Sequence, residues 1–197
     1  MASDRNAGHR PRRESPAEAR ARRAGIDDSD VVFEAALRFL EARQRSVTEV
    51  RRRLAQAGYR QDLVSAALVR LGDLGMLDDQ LFAKTWVESR DRASPRGERA
   101  LRMELRQKGI DVPTIDGVLG ERAEGTRDGA PDDEAADRFL ARHAHSLARV
   151  ADPRQRRQRA YAALARHGFD SDTATRAIRR SEAVTGERLD PDEAVAE

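Results

Sequence analysis

The sequence predicts an all-α protein: three tandem three-helix repeats in an elongated modular array, with a disordered basic N-terminal arm and an acidic C-terminal tail. Three observations carry this. The first is a motif that occurs three times, a Leu, three residues, a Gly and a bulky apolar residue: LAQAGY at Leu54–Tyr59, LRQKGI at Leu105–Ile110 and LARHGF at Leu164–Phe169. The second is the apolar spacing around it. Val50, Leu101 and Ala160 stand one helical turn before the anchor leucines, and Leu68, Leu119 and Ile178 lie ten residues after the glycines. The third is that no sustained alternating, β-branched run occurs, so nothing reads as a strand. A Gly just past the last apolar turn is the expected left-handed helix ending, where a side chain would clash. Each unit is therefore a helix, a tight Gly turn and a second helix, preceded by a third helix, and the spacing falls in the range of helical repeats.

In chain order, residues 1–30 read as the arm. Residues 1–24 carry seven Arg against three acids and have no apolar period. The first repeat spans 31–76. Phe33, Ala36, Leu37 and Leu40 fall at i, i+3, i+4 and i+7, and Ser46-Val47-Thr48-Glu49 is a capping box for the middle helix. The second repeat, 77–120, opens on Asp78-Asp79 as a cap, with Phe82 and Trp86 one turn apart. Ser94-Pro95 places proline at the start of its middle helix. Residues 121–132 read as a flexible acidic linker. The third repeat, 133–181, has Ala136, Phe139, Leu140 and His143 on one face, and Asp152-Pro153-Arg154-Gln155 as a variant capping box. Residues 182–197 form the acidic tail.

Composition narrows the function. Charged residues make up 37% of the chain and aromatics 4%, which leaves little apolar surface for one large core and favours several small ones. The absence of cysteine removes disulfides, thiol catalysis and thiolate metal sites, and suits a reducing compartment. No apolar run approaches the ~18 residues of a membrane span, and the N-terminus lacks a signal-peptide apolar segment. The expectation is a cytoplasmic monomer. No phosphate-binding loop, HExxH or GxSxG motif occurs, and His143 and His145 fall on different helix faces. Asp78-Asp79 before a helix reads as a cap rather than an acid–base pair, and Trp86 beside Phe82 as core. The protein is expected to be no enzyme and to need no cofactor or metal.

The basic residues are the candidate site. All but two of the 37 Lys and Arg residues are Arg, a bias that gene composition can impose, so position weighs more than number. In the second repeat the candidates are Arg90, Arg92, Arg96, Arg99, Arg102, Arg106 and Lys108. Glu98–Arg102 and Glu104–Lys108 are spaced as i, i+4 pairs, while Arg96, Arg99 and Arg106 have no evident local partner. In the third repeat the candidates are Arg154, Arg156 and Arg157, in the run RQRRQR, which holds no acid. Two such patches on an array of repeats suit an extended anionic partner, whether DNA phosphates, an acidic protein surface or a filament offering both.

The second repeat also resembles a known family. Gly75, Leu77, Asp78, Asp79, Phe82, Ala83, Val87, Arg90, Gly97, Arg99, Leu101, Leu105, Lys108, Gly109 and Ile110 follow the pattern of the middle unit of the RecX proteins, bacterial regulators of the RecA recombinase. The first repeat, ALRFLEAR through SVTEVRRRLAQAGY, is similar to the family too, and the third matches it through its LARHGF turn and spacing. The resemblance implies a non-enzymatic protein that binds RecA and its filament on single-stranded DNA and inhibits recombinase, ATPase and coprotease activity, with weak direct DNA binding as a further expectation. The alternative is a helix-turn-helix nucleoid or transcription factor. That alternative needs a base-reading recognition helix, and the third helices, LVSAALVRL and TIDGVLGE, are too apolar and small for the role.

Overall fold

A computed structural model describes residues 14–126 and 130–187. It contains ten helices and no strand among those residues. None of these helices is long and apolar enough to cross a membrane. The chain divides into two compact units, one through Leu77 and one from Asp78 onward.

The first unit holds α1 (Pro16–Ala24), α2 (Ser29–Leu40), α3 (Val47–Ala57) and α4 (Gln61–Asp73). Val32, Phe33, Ala36, Val50, Leu54 and Val64 form the centre of its core. Ser46 and Glu49 close the expected capping box at the start of α3. Two expectations fail here. Leu77, read as the start of the second repeat, packs into the first core. Part of the arm read as disordered is α1, which starts with its own capping box between Ser15 and Glu18 and has no buried residue. Its hold on the unit is not apolar. The Arg20 backbone lies so close to Gly58 that a β-carbon there would meet the Arg20 carbonyl at 2.8 Å, and the Arg23 guanidinium donates to the Ala57 carbonyl at 3.3 Å. A search for apolar periodicity misses such a helix. Residues 1–13 lie outside the described residues.

The second unit contains two three-helix repeats. The first comprises α5 (Asp79–Ala93), α6 (Glu98–Gln107) and α7 (Val112–Glu124); the next comprises α8 (Pro131–Ala148), α9 (Pro153–Arg166) and α10 (Ser171–Glu187). Each has a separate core. One gathers Phe82, Val87, Leu101, Leu105, Ile110 and Ile115; the other gathers Phe139, Leu140, Ala160, Leu164, Phe169 and Ile178. Asp78 caps α5 by accepting from Leu81 N–H at 2.9 Å. Asp152 caps α9 by accepting from Arg154 N–H at 3.0 Å, with Pro153 in the first turn. Pro95 does not begin α6. It is fully buried in the connection, and Gly97 is the N-cap.

The threefold motif has one local cause. Gly58, Gly109 and Gly168 have φ of 101°, 82° and 86°. In each turn the Gly N–H donates to the carbonyl three residues back. The next N–H then reaches the anchor leucine: Tyr59 to Leu54 at 3.3 Å, Ile110 to Leu105 at 3.1 Å, and Phe169 to Leu164 at 3.2 Å. This pair of bonds engages carbonyls of the last turn, and it folds the bulky residue back over that turn.

Half of the expected acidic linker, residues 121–132, is helix. Helix α7 runs to Glu124 and α8 begins at Pro131, leaving 127–129 outside the described residues. Arg122, at the end of α7, has a side chain only 8% exposed. It bonds Asp91 of α5 at 2.9 Å and Asp132 of α8 at 2.7 Å, and Asp132 also accepts from Glu98 N–H at 2.7 Å. Burial alone would weaken the Arg122 charge, but the two carboxylates outweigh it and its pKa stays above the ordinary value. Burial pushes the Asp132 carboxyl up, against the pull of the Glu98 N–H and Arg122. With two donors at 2.7 Å, we read Asp132 as the charged partner of Arg122. The two repeats also meet backbone to backbone, where Gly97 N–H donates to the His167 carbonyl at 3.0 Å. A β-carbon at Gly97 would overlap the Gly168 carbonyl, and one at Gly168 would overlap Ala100. The tail boundary shifts as well, since α10 continues to Glu187.

His143 and His167 both serve the third core. Their rings lie 4.2 and 4.4 Å from that of Phe139, and each Nδ1 stands 2.8 Å from the carbonyl four residues earlier. Burial lowers the His167 pKa, the Ala163 carbonyl opposes this, and Arg96 adds repulsion to the protonated form.

Three outcomes are expected. Gly109→Val forces a β-branched residue to φ 82° and should cost about 1–3 kcal/mol, read as a melting temperature lower by several degrees; an unchanged melting curve would contradict the turn. Arg122→Ala leaves Asp132 without its cation and Asp91 with only the more distant Arg138 at 3.7 Å, and should cost about 3–5 kcal/mol, whereas Asp132→Asn, which keeps an acceptor for Glu98 N–H, should cost less. His167 binds its proton more weakly folded than unfolded, so its contribution is complete above the ordinary His value of about 6.5 and declines as pH falls through that range. Melting temperatures of wild type should drop below that pH, and His167→Gln should flatten the dependence.

Candidate functional site

The candidate residues of the second repeat sit on α5, α6 and the turn after α6, and they separate into two groups. One group is ion-paired within the fold. Glu104 accepts from Trp86 Nε1 at 2.8 Å and from Arg90 Nε at 2.7 Å, and Arg96 Nε lies 3.5 Å from its other oxygen. That last separation suits an ion pair but is too long for a hydrogen bond, and the shielded Arg96 Nε has no hydrogen-bond partner among the described residues. Arg90 and Lys108 also place their charges 4.5 and 4.8 Å from the Trp86 ring. Arg102 pairs with Glu98 at 2.7 Å and with Asp116, which together hold its pKa above the ordinary value.

The expectation that Arg96 lacks a partner is therefore overturned. The residue that answers it, Glu104, comes from the middle of α6, and its spacing to Lys108 had suggested a different pair. A carboxylate only 17% exposed gathers the Trp86 indole and two guanidinium groups because that cluster satisfies its charge inside a small core.

The other group is open. Arg99 and Arg106 stand on the outward face of α6, while Ala100, Leu101 and Leu105 are buried on the opposite face. Neither guanidinium has an ion-pair or hydrogen-bond partner among the described residues. Arg92 is exposed too; its side chain has no partner among the described residues, and its backbone carbonyl accepts from Arg142. Arg99, Arg102 and Arg106 line a cleft of about 770 Å³ whose far wall is formed by Ala165, Arg166 and Gly168 of the third repeat. Met103, 56% exposed, rises among these cations. Arg166 was not among the sequence candidates. It faces Arg99 and Arg106 only because the Gly168 turn seats against Gly97 and Ala100, an approach that no local spacing encodes.

The run Arg154–Arg159 does not form one surface, because successive helical residues turn about 100° apart. Arg154 is exposed without a side-chain partner among the described residues. Arg157 is bound to Glu182 of α10. Arg156 is half-buried, its Nε shielded and unpartnered, beside an apolar cavity of about 520 Å³ with Leu140, Leu147 and Ile178 in its walls.

Comparisons with known proteins agree with the three-helix units. Models of the first, second and third three-helix domains of RecX match residues 33–71, 78–119 and 131–178. The regulatory protein RecX of Mycolicibacterium vanbaalenii is 41% identical over 122 residues, covering 54% of this chain and 66% of that protein. The regulatory protein RecX of Mycobacterium avium is 36% identical over 152 residues, covering 77% of this chain and 85% of that one. The crystal structure of RecX from Lactobacillus salivarius superposes with a TM-score of 0.63 at 22% identity, covering 80% of this chain and 98% of that one. All three repeats, including the third, whose sequence signal is confined to its turn, are matched by domains of a single family, and the chain belongs to the RecX family.

Proposed function

We propose that this chain is a non-enzymatic regulator that binds RecA, and RecA assembled on single-stranded DNA, and restrains the recombinase. The observation that carries the reading is the cleft between α6 and α9. There Arg99, Arg106 and Arg166 have no counter-charge among the described residues, while Arg90, Arg96 and Arg102 close by are held in ion pairs. Clustered positive charge without an internal partner raises the local concentration of anionic surface and supports an anionic partner. A RecA filament on DNA offers both carboxylates and phosphates, and relatives of this chain carry the name regulatory protein RecX. Arg92 and Arg154 belong to the open cations in this reading. Arg90, Arg96, Arg102 and Arg157 shape the surface through their ion pairs, Lys108 covers Trp86, and Arg156 stays largely inside.

The test is RecA-catalysed strand exchange and RecA ATP hydrolysis on single-stranded DNA, with the full chain added. Wild type should slow both and turn over no nucleotide by itself. Changing Arg99, Arg106 and Arg166 together to Glu should raise the half-inhibitory concentration by roughly tenfold or more, and the salt dependence of binding should flatten by about one unit of slope for each phosphate no longer neutralised. Helicity should be unchanged. Arg51→Glu with Arg52→Glu, on the exposed face of α3, is the control and should have little effect. A triple variant as inhibitory as wild type would refute the assignment. Tight, sequence-specific duplex binding with no effect on RecA would favour the helix-turn-helix alternative.

A further inference from the structure

The aromatic rings of this chain are covered in a consistent way. The chain has five Phe, two Tyr and one Trp. Arg70 lies over Phe33 at 4.0 Å, Arg45 over Phe39 at 4.4 Å and Arg23 over Tyr59 at 6.0 Å. Trp86 stacks on Phe82 and carries Arg90 and Lys108, while Phe139 contacts His143, His167 and Phe169. Tyr161 alone has neither a cation nor a ring on its face among the described residues. It is 41% exposed on α9.

Tyr161 stands at the edge of a groove between α9 and α10. With Gln158 on α9 and Thr175 and Arg179 on α10 it lines a groove of about 510 Å³. Arg179 is exposed and has no ion-pair partner among the described residues. Arg154 is also open and lies on the same face of α9, two turns before Tyr161. Arg157, the remaining cation at the groove, is already held by Glu182. The groove thus offers a bare π-face beside the free guanidinium of Arg179 and the amide of Gln158, with Arg154 two turns away along α9.

We propose that this α9–α10 groove is a single-stranded nucleic acid site, in which an unpaired base stacks on Tyr161 and the adjoining phosphates are held by Arg179 and Arg154. Stacking on an aromatic side chain needs an exposed base face, which a duplex keeps inside its own stack, so the site selects single strands without reading sequence. Carboxylates of an acidic protein would satisfy the two guanidinium groups but leave the ring unused. The site goes beyond the RecA reading, because it requires no recombinase and uses a different face from the α6 cleft.

The experiment is fluorescence anisotropy of a labelled oligothymidylate titrated with the full-length protein in low salt, without RecA. Wild type should bind the single strand more tightly than a duplex of equal length. Tyr161→Ala should weaken single-strand binding on the order of tenfold while Tyr161→Phe preserves it, the pattern expected of stacking rather than of the hydroxyl. Arg179→Glu should weaken it as well. Polyglutamate should compete poorly, and its competition should be insensitive to Tyr161→Ala. Circular dichroism and melting curves of each variant should match wild type, and Tyr161→Phe together with Arg179→Glu keeps the test decisive if the Ala variant unfolds. Undetectable wild-type binding would overturn the proposal. So would equal affinity for single strand and duplex, or undiminished binding by a folded Tyr161→Ala. Failure of these results would leave the α6 cleft untouched, and loss of RecA inhibition in the Arg99, Arg106 and Arg166 variant would leave the Tyr161 groove untouched.

Discussion

Each repeat depends on the turn that ends its middle helix. At the end of α3, α6 and α9 the anchor leucine buries its side chain, and the N–H just after the turn glycine returns to its carbonyl. That return requires a left-handed residue between them, which a side chain makes costly and glycine does not. The returning residue is Tyr59, Ile110 or Phe169, so a single hydrogen bond both ends the helix and lays an apolar group across its last turn. The third helix of every repeat starts from that fixed direction.

What was legible in the sequence follows from this locality. The Gly turns, the Ser46 capping box and the Asp78 and Asp152 caps are settled by residues within one turn of each other, and the fold class with them. Helix α1 was not legible. Its seating rests on a backbone approach to Gly58 and a guanidinium bond to a carbonyl, and neither leaves an apolar period. The acidic stretch before α8 misleads for a related reason. Asp132 resembles linker composition until Arg122, ten residues earlier, and Glu98, far earlier still, are brought to it. The site was half legible. The stripe of Arg99, Arg102 and Arg106 could be read from helical spacing, but whether each charge is spent inside the fold depends on Glu104 and Asp116, and the opposite wall on Arg166.

The arginines therefore do two kinds of work. Some replace apolar packing, lying flat on rings or closing networks around Glu104 and Asp132, where a delocalised planar cation can be half-buried at modest cost. Others are left unmatched on two separate faces of the second unit. Membership of the RecX family gives those faces a context, and their chemistry divides between a cationic cleft crossed by a methionine and a groove with a bare tyrosine ring.

The seam between the last two repeats also bears on how such arrays lengthen. Gly97 caps α6 where the next repeat's turn presses against it, and that contact leaves no room for a β-carbon. The matching N-cap on α9 is Asp152, which has one, along with a negative charge. A fourth unit produced by duplicating the gene segment and seated in the same geometry would meet that side chain. Growth of the array at this end would then require a substitution at Asp152 in addition to the copied segment.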